Sequence, residues 1–314
     1  MNGFAQIHGQ DRVVGFLRRA LRDERLAHAL LFAGPAGVGK GLTARALASW
    51  AQCEVDGEDA CGRCASCVQI GAGSHADVRI VTPESGKRDI GVDRAREVKR
   101  FVQLAPTAGR LKFAIVDDAH ALTVAAQNAL LKTLEDPPAN SILILVSDHS
   151  DALLATVRSR CQRLAFQPLP TDTVAEILVS RHGVDEGEAR TLAAASEGSM
   201  SRALELRSTE PGSTSLLASL EALAGAAYVD LDPAMRRLSE APEALERNLE
   251  LLLAEIRNAA REEIETGSYR PREVRRLLAM GDTVRGAANL LRRGNPNHTL
   301  LLESMLLRLT SIDA

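Results

Sequence analysis

Three groups of residues have the types and spacing that chemistry requires: a glycine-rich loop ending in lysine, two aspartates closing an apolar run, and four clustered cysteines. The loop, Gly34-Pro-Ala-Gly37-Val-Gly39-Lys40-Gly41, fits the pattern G-x-x-x-x-G-K. In that pattern backbone N–H groups at a helix N-terminus cradle a phosphate and the lysine adds positive charge. The next position normally carries Ser or Thr, whose hydroxyl ligates magnesium, and Gly41 has nothing to offer there. Thr43, two residues on, projects in another direction from the helix. Two readings stay open: a relic loop kept for packing, or a weak site for ATP with magnesium.

Phe113-Ala-Ile-Val-Asp117-Asp118 is an apolar strand ending in two acids. One acid in such a pair steadies magnesium and the next polarises the attacking water. The second is usually glutamate, so Asp118, one methylene shorter, is expected to hold a general base out of reach of its water. An isolated pair would simply solvate a strand end; following a phosphate loop, the pair reads as a degenerate catalytic motif.

Cys53-x7-Cys61-x2-Cys64-x2-Cys67 supplies four soft ligands, enough for one tetrahedral all-thiolate zinc. Gly57 and Gly62 provide turns, and the polar filler between the ligands (Glu54, Asp56, Glu58, Asp59, Arg63, Ser66) cannot build a core, so metal has to hold this segment. With every position filled by protein the zinc is structural. Cys161 stands apart and is expected to be a buried small residue. His75, His120 and His149 lack a nucleophile at a telling spacing and read as satisfied polar residues. Lys87, Arg88, Arg94, Arg96, Lys99 and Arg100 form a basic cluster without interleaved aromatics, read mainly as a solvated helix face, with a DNA-backbone contact as the alternative.

The elements that must position these groups follow from periodicity. Val13, Val14, Leu17 and Leu21 recur at helical spacing before the apolar run Ala29–Phe32, which leads into the loop; good helix formers follow from Leu42 to Ala51. Phe113–Val116 and Ile142–Val146 are short apolar runs suited to central strands of a parallel sheet. Between them a helix over Val124–Leu134 stops at Asp136-Pro137-Pro138. Pro168 and Pro170 mark a boundary, after which a helix begins at Thr171 and a second spans about Glu188–Ser196. The clearest linker is Ser208–Ser213. Beyond it, Leu245, Leu249, Leu252 and Ile256 form one apolar stripe and Leu302, Met305, Leu306 and Leu309 another, as in a helical bundle.

The fold class expected is therefore α/β plus all-α. Residues 1–167 form a P-loop parallel-sheet domain with the four-cysteine module at 53–67, residues 168–207 a small helical lid, and residues 213–314 a helical C-terminal domain. The chain of 314 residues, 45% hydrophobic and 25% charged, carries a formal charge of -3, which argues against a free-standing nucleic-acid binder. The cysteine module, with four acids and one arginine, argues against a zinc-dependent DNA reader. No apolar run approaches the ~18 residues that span a bilayer, and the N-terminus lacks a signal-peptide apolar region; the expectation is a cytoplasmic protein without membrane contact.

Several blocks together resemble the delta-prime subunit family of the bacterial DNA polymerase III clamp loader, AAA+ proteins. They are Ile7-His-Gly-Gln10, Leu26-Ala-His-Ala29, the cysteine module after the phosphate-loop helix, Asn128-Ala-Leu-Leu-Lys-Thr-Leu-Glu135-Asp-Pro-Pro138, and Leu154-Ala-Thr-Val-Arg-Ser159-Arg160-Cys161. The resemblance implies an AAA+ domain, a lid and a collar that joins a hetero-pentameric ring with delta and the motor subunits. That ring opens a sliding clamp and closes it on primed DNA. It also implies structural zinc and an arginine finger, carried by the Ser-Arg-Cys match onto Arg160, which completes a neighbour's ATP site in trans; Arg158 reads as structural. In Gly198-Ser-Met-Ser201-Arg202-Ala, Ser201 stands where motor subunits put a phosphate-sensing arginine, and Arg202 lies about 100° round the helix. Gly41, Asp118 and Ser201 together imply a stator with weak or no ATPase activity of its own. The alternative is an active ATPase of the motor type. Polymerase activity belongs to the holoenzyme, since no further carboxylate group serves it.

Overall fold

A computed structural model of the chain describes residues 3–84, 89–138, 140–208, 217, 242–265, 270–293, 297–310 and 312. The chain divides into two compact units, Met1–Leu169 and Pro170–Ala314. Lys87 and Arg88 of the basic cluster, and the linker expected at 208–213 beyond Ser208, lie outside the described residues.

The first unit is built on a five-stranded sheet of β1 (Ala29–Ala33), β2 (Val78–Val81), β3 (Lys112–Val116), β4 (Ser141–Ser147) and β5 (Gln162–Ala165). All pairings are parallel and the order is β2-β3-β4-β1-β5. β1, β3 and β4 are buried along their whole length, as their continuous apolar sequences require for strands covered on both faces. Alternation divides their side chains between two cores. Leu31, Val116, Leu143 and Leu145 face α4 (Val92–Gln103) and α5 (Val124–Glu135), whereas Leu30, Phe32, Phe113, Ile115 and Ile144 face α1 (Asp11–Arg22) and α2 (Lys40–Ala51). Each such fully buried side chain contributes about 1.5–3 kcal/mol, so the sheet centre is a rigid platform for the loops at its ends. α3 (Ala65–Gly71) carries the last cysteine, and the short α6 (Ala155–Arg158) precedes β5.

The outer strands β2 and β5 are the elements that the apolar runs do not announce. Each has four residues, and with Gln162, Arg163 and Ala165 exposed, β5 has Leu164 alone packed against the core. The expected parallel-sheet domain with flanking helices is present, and the helices at the C-terminal end follow as a separate unit.

That second unit contains α7 (Thr171–His182), α8 (Glu186–Ala195), α9 (Met200–Ser208), α10 (Pro242–Glu265), α11 (Pro271–Arg293) and α12 (His298–Thr310). Gly183 ends α7 in the left-handed conformation that a residue without Cβ adopts freely, and Asp185 caps α8 by accepting from the Gly187 N–H. Both apolar stripes read from the sequence enter one core: Leu249, Leu252 and Ile256 of α10 pack with Leu277, Met280 and Val284 of α11 and with Leu302 and Met305 of α12. Contacts also join the earlier helices to the bundle, including the Asn258 amide donating to the Thr191 hydroxyl at 3.4 Å. None of the described helices is long and apolar enough to cross a membrane.

Candidate functional site

The phosphate loop lies between β1 and α2, outside the carboxyl end of the sheet, where parallel α/β folds gather ligands. Gly39 occupies the left-handed region at φ 94° and forms the N-cap of α2, while Gly37 lies at φ 70°. These values need glycine, and they hold the curl that aims amides at a helix N-terminus. Gly34 serves packing: a Cβ there would collide with the Phe166 backbone. Gln10 anchors the assembly from α1's N-cap, donating to the carbonyls of Val38 at 3.3 Å and Gln167 at 2.7 Å.

Lys40 is buried, and its ammonium group is fully engaged by the chain. It donates to the Gly34 carbonyl at 2.8 Å and to the Pro35 carbonyl, and it pairs with Asp148 Oδ1 at 2.6 Å. Thr43 is turned away as expected, its hydroxyl donating to the Gly39 carbonyl at 2.8 Å. Gly41 faces the first acid: a Cβ at 41 would stand 3.0 Å from Asp117 Oδ2, so a Ser or Thr here would bring its hydroxyl to that carboxylate. Burial pushes the Asp117 carboxyl above its ordinary range, with repulsion from Asp118 and Asp148 adding to it and Arg45, 3.9 Å away, opposing. Asp118 is exposed and left-handed at φ 55°, at the start of a short 3-10 turn.

Asp148 was not singled out by motif. Its signal is the same one that marks Asp117, an acid closing an apolar strand, yet its nearness to Lys40 follows only from the strand order. β4 lies between β3 and β1, Ser147 pairs with Ala33, and the Gly34 N–H donates to the Ser147 carbonyl at 3.4 Å. The residue after β4 is thereby delivered to the loop.

Arg160 lies in the turn after α6, about one-third exposed, pairing with Glu135 Oε1 at 2.6 Å and donating to the Thr156 carbonyl at 2.9 Å. Arg158 pairs with Asp151 at 2.7 Å. Arg202 reaches Glu250 on α10 and lies 3.8 Å from Glu197, contacts within its own unit. On α4, Arg94 pairs with Glu97 at 2.8 Å and Arg96 with Asp93 at 3.0 Å, which neutralises part of the basic cluster. His120 and His149 pack against each other with ring centroids 5.5 Å apart, and buried His75 accepts from the Asp77 N–H.

The four sulfurs of Cys53, Cys61, Cys64 and Cys67 lie within 4.8 Å of one another. A tetrahedron of thiolates around zinc at 2.3 Å has edges of about 3.8 Å, so this donor set fits the ion. Backbone N–H groups of Cys61, Cys64 and Cys67 point at the sulfurs of Cys53, Cys61 and Cys64 at 3.3–3.4 Å, an arrangement that favours thiolates. The Arg63 and Cys64 amides bring the Cys61 thiol down to about 6, whereas burial pushes Cys67 up to about 12. A coordinated dication would override the second shift, because a coordinating thiol is deprotonated outright. The module is pinned to the unit by Asp59, which accepts from the Phe4 and Ala5 N–H groups at 2.8 Å, and by Trp50 Nε1 donating to the Gly57 carbonyl at 3.0 Å. Cys161 is half-buried against the sheet core, and burial raises its thiol to about 11.

A family model described as "DNA polymerase III, delta subunit" matches residues 9–170, just over half of the chain. Among curated proteins, DNA polymerase III subunit delta' of Haemophilus influenzae is 40% identical over 185 residues, 58% of this chain and 56% of that protein. Its Escherichia coli counterpart is 41% identical over 155 residues, 49% and 46% of the two chains. DNA polymerase III subunit tau of Bacillus subtilis is 35% identical over 209 residues, 65% of this chain and 37% of that one. The matches thus span between 37% and 56% of the relatives' own lengths.

Proposed function

This chain belongs to the DNA polymerase III delta-subunit family, and from that premise we propose that it is a delta-prime stator of the clamp loader. In this role it supplies Arg160 to a neighbouring subunit's ATP and turns over little or no ATP itself. Its partners are delta and the motor subunits in a hetero-pentameric ring, and through the ring a sliding clamp and primed DNA. The matched relatives are subunits of DNA polymerase III, which supports the assembly, and the cysteine module's role is structural zinc.

The observation that carries the reading is the state of the phosphate loop. Its backbone shape is kept, yet Gly41 sets bare main chain against Asp117 and leaves a metal without the loop's own oxygen ligand. A motor-type reading needs that oxygen and a glutamate at 118. Arg160, in contrast, is partly exposed and already holds a carboxylate in a charge-assisted bond. Exchanging the Glu135 carboxylate for a neighbour's γ-phosphate replaces one anion by another on the same guanidinium, and the positive charge then offsets what builds up in the transition state.

The test is Arg160→Ala in a reconstituted loader. Arginine fingers contribute about 10³–10⁵ in rate, so turnover at the adjacent site should fall by orders of magnitude while the ring still assembles. Unchanged turnover would remove the assignment.

A further inference from the structure

We propose that Asp148 is a built-in occupant of the phosphate loop: its carboxylate takes the place of a phosphate on Lys40 and makes this subunit indifferent to nucleotide. The inference rests on reading the loop as nucleotide-derived and goes beyond it by naming what silences the loop.

An ammonium group has three protons and no acceptor. In this chain all three are committed, two to the carbonyls of Gly34 and Pro35 and one to Asp148. The carbonyl bonds are part of the loop's own curl, so an incoming phosphate oxygen has one position to take, the position held by an anion already. That anion is fixed in place before any ligand arrives. The pairing of Ser147 with Ala33 and the Gly34–Ser147 hydrogen bond bring the residue after β4 to the loop as a consequence of forming the sheet. An intramolecular competitor preorganised in this way loses little freedom on binding, whereas a nucleotide loses its translational and rotational freedom.

The surrounding charge acts in the same direction. Asp117, Asp118 and Asp148 lie near one another at this end of the sheet, and among the described residues Lys40 pairs with Asp148 and Arg45 with Asp117. A triphosphate would enter against surplus negative charge. Magnesium would have to offset it without a hydroxyl at position 41 to help hold the metal.

Asp148→Asn keeps the shape of the side chain and removes its charge, so the buried lysine lacks an anion and recruits one from solution. Titration calorimetry of the zinc-loaded chain with magnesium ATP reads this directly. The Asn variant is expected to bind at least about tenfold more tightly than the unaltered chain, with Lys40→Ala in the same background abolishing the gain. Asp148→Ser serves as a second variant with the same expected direction. Folded Asn or Ser variants that bind no more tightly than the unaltered chain would overturn the proposal, as would tight binding by the unaltered chain itself. Failure here leaves the stator reading standing, because that reading is scored by a neighbour's turnover when Arg160 is changed.

Discussion

The two ends of the central sheet each hold a buried lysine against an aspartate, and they do so under different conditions. At the amino end, Lys112 opens β3 and pairs at 2.8 Å with Asp77, which precedes β2; the two side chains are 3% and 0% exposed. Asp77 also accepts from the backbone N–H groups of Thr107, Ala108 and Gly109, and Lys112 lies over the Phe101 ring. Burial alone would raise the Asp77 carboxyl, but Lys112 and the three amides outweigh it and hold the group well below the ordinary carboxylate range. At the carboxyl end, Lys40 is as deeply buried, yet its partner Asp148 is 24% exposed. A carboxylate walled in by backbone donors is part of the fold, whereas one that solvent reaches on one side can be removed at smaller cost to it.

The cysteine module belongs with the closed end. α2 starts at the phosphate loop, and Gln52, just past its last turn, donates to the Leu111 carbonyl ahead of β3. If that end is held by permanent interactions, breaking them should have the larger consequences. The largest is expected from Cys64→Ser: zinc should fall from one per chain to none, and the Phe4 and Ala5 amides, which depend on Asp59, should lose protection in hydrogen exchange. Retention of one zinc by this variant, or none in the unaltered chain, would break the assignment; Cys161→Ala should leave the metal in place.

The next effect separates the two lysine–aspartate pairs. Asp77→Ala leaves Lys112 buried without its anion and should cost about 3–5 kcal/mol in denaturant unfolding at neutral pH. Asp148→Ala should cost less than about 2 kcal/mol, because solvent reaches that carboxylate. Acid sharpens the contrast. A carboxyl whose folded pKa is depressed stabilises the fold above its unfolded value, near 3.9, and that stability is lost as pH falls through the lower folded value. The Asp77 variant's deficit should therefore shrink from about pH 4 downward. Equal costs for the two substitutions would dissolve the distinction between the ends.

Legibility followed the same line. Phe113–Val116 and Ile142–Val146 were readable as strands because both faces of a central parallel strand are covered, and such strands need continuous apolar sequence. β2 and β5 were not, since an edge strand of four residues with one covered face carries no comparable signal. The loop, the acid pair and the cysteines were found because each chemistry fixes a short sequence spacing. Asp148 and Glu135 escaped because their importance lies in partners far along the chain, Lys40 and Arg160, and the route to them runs through strand order and a helix end. Asp77 escaped for the same reason, its lysine being 35 residues away.

The most direct test of the account places two substitutions, one at a time, in this subunit alone within a reconstituted loader and measures ATP turnover. The account predicts that Lys40→Ala leaves turnover unchanged, because that lysine is committed to its own chain, and that Arg160→Ala lowers it by orders of magnitude. A loader that loses turnover with Lys40→Ala and keeps it with Arg160→Ala would make this chain a motor and contradict the account.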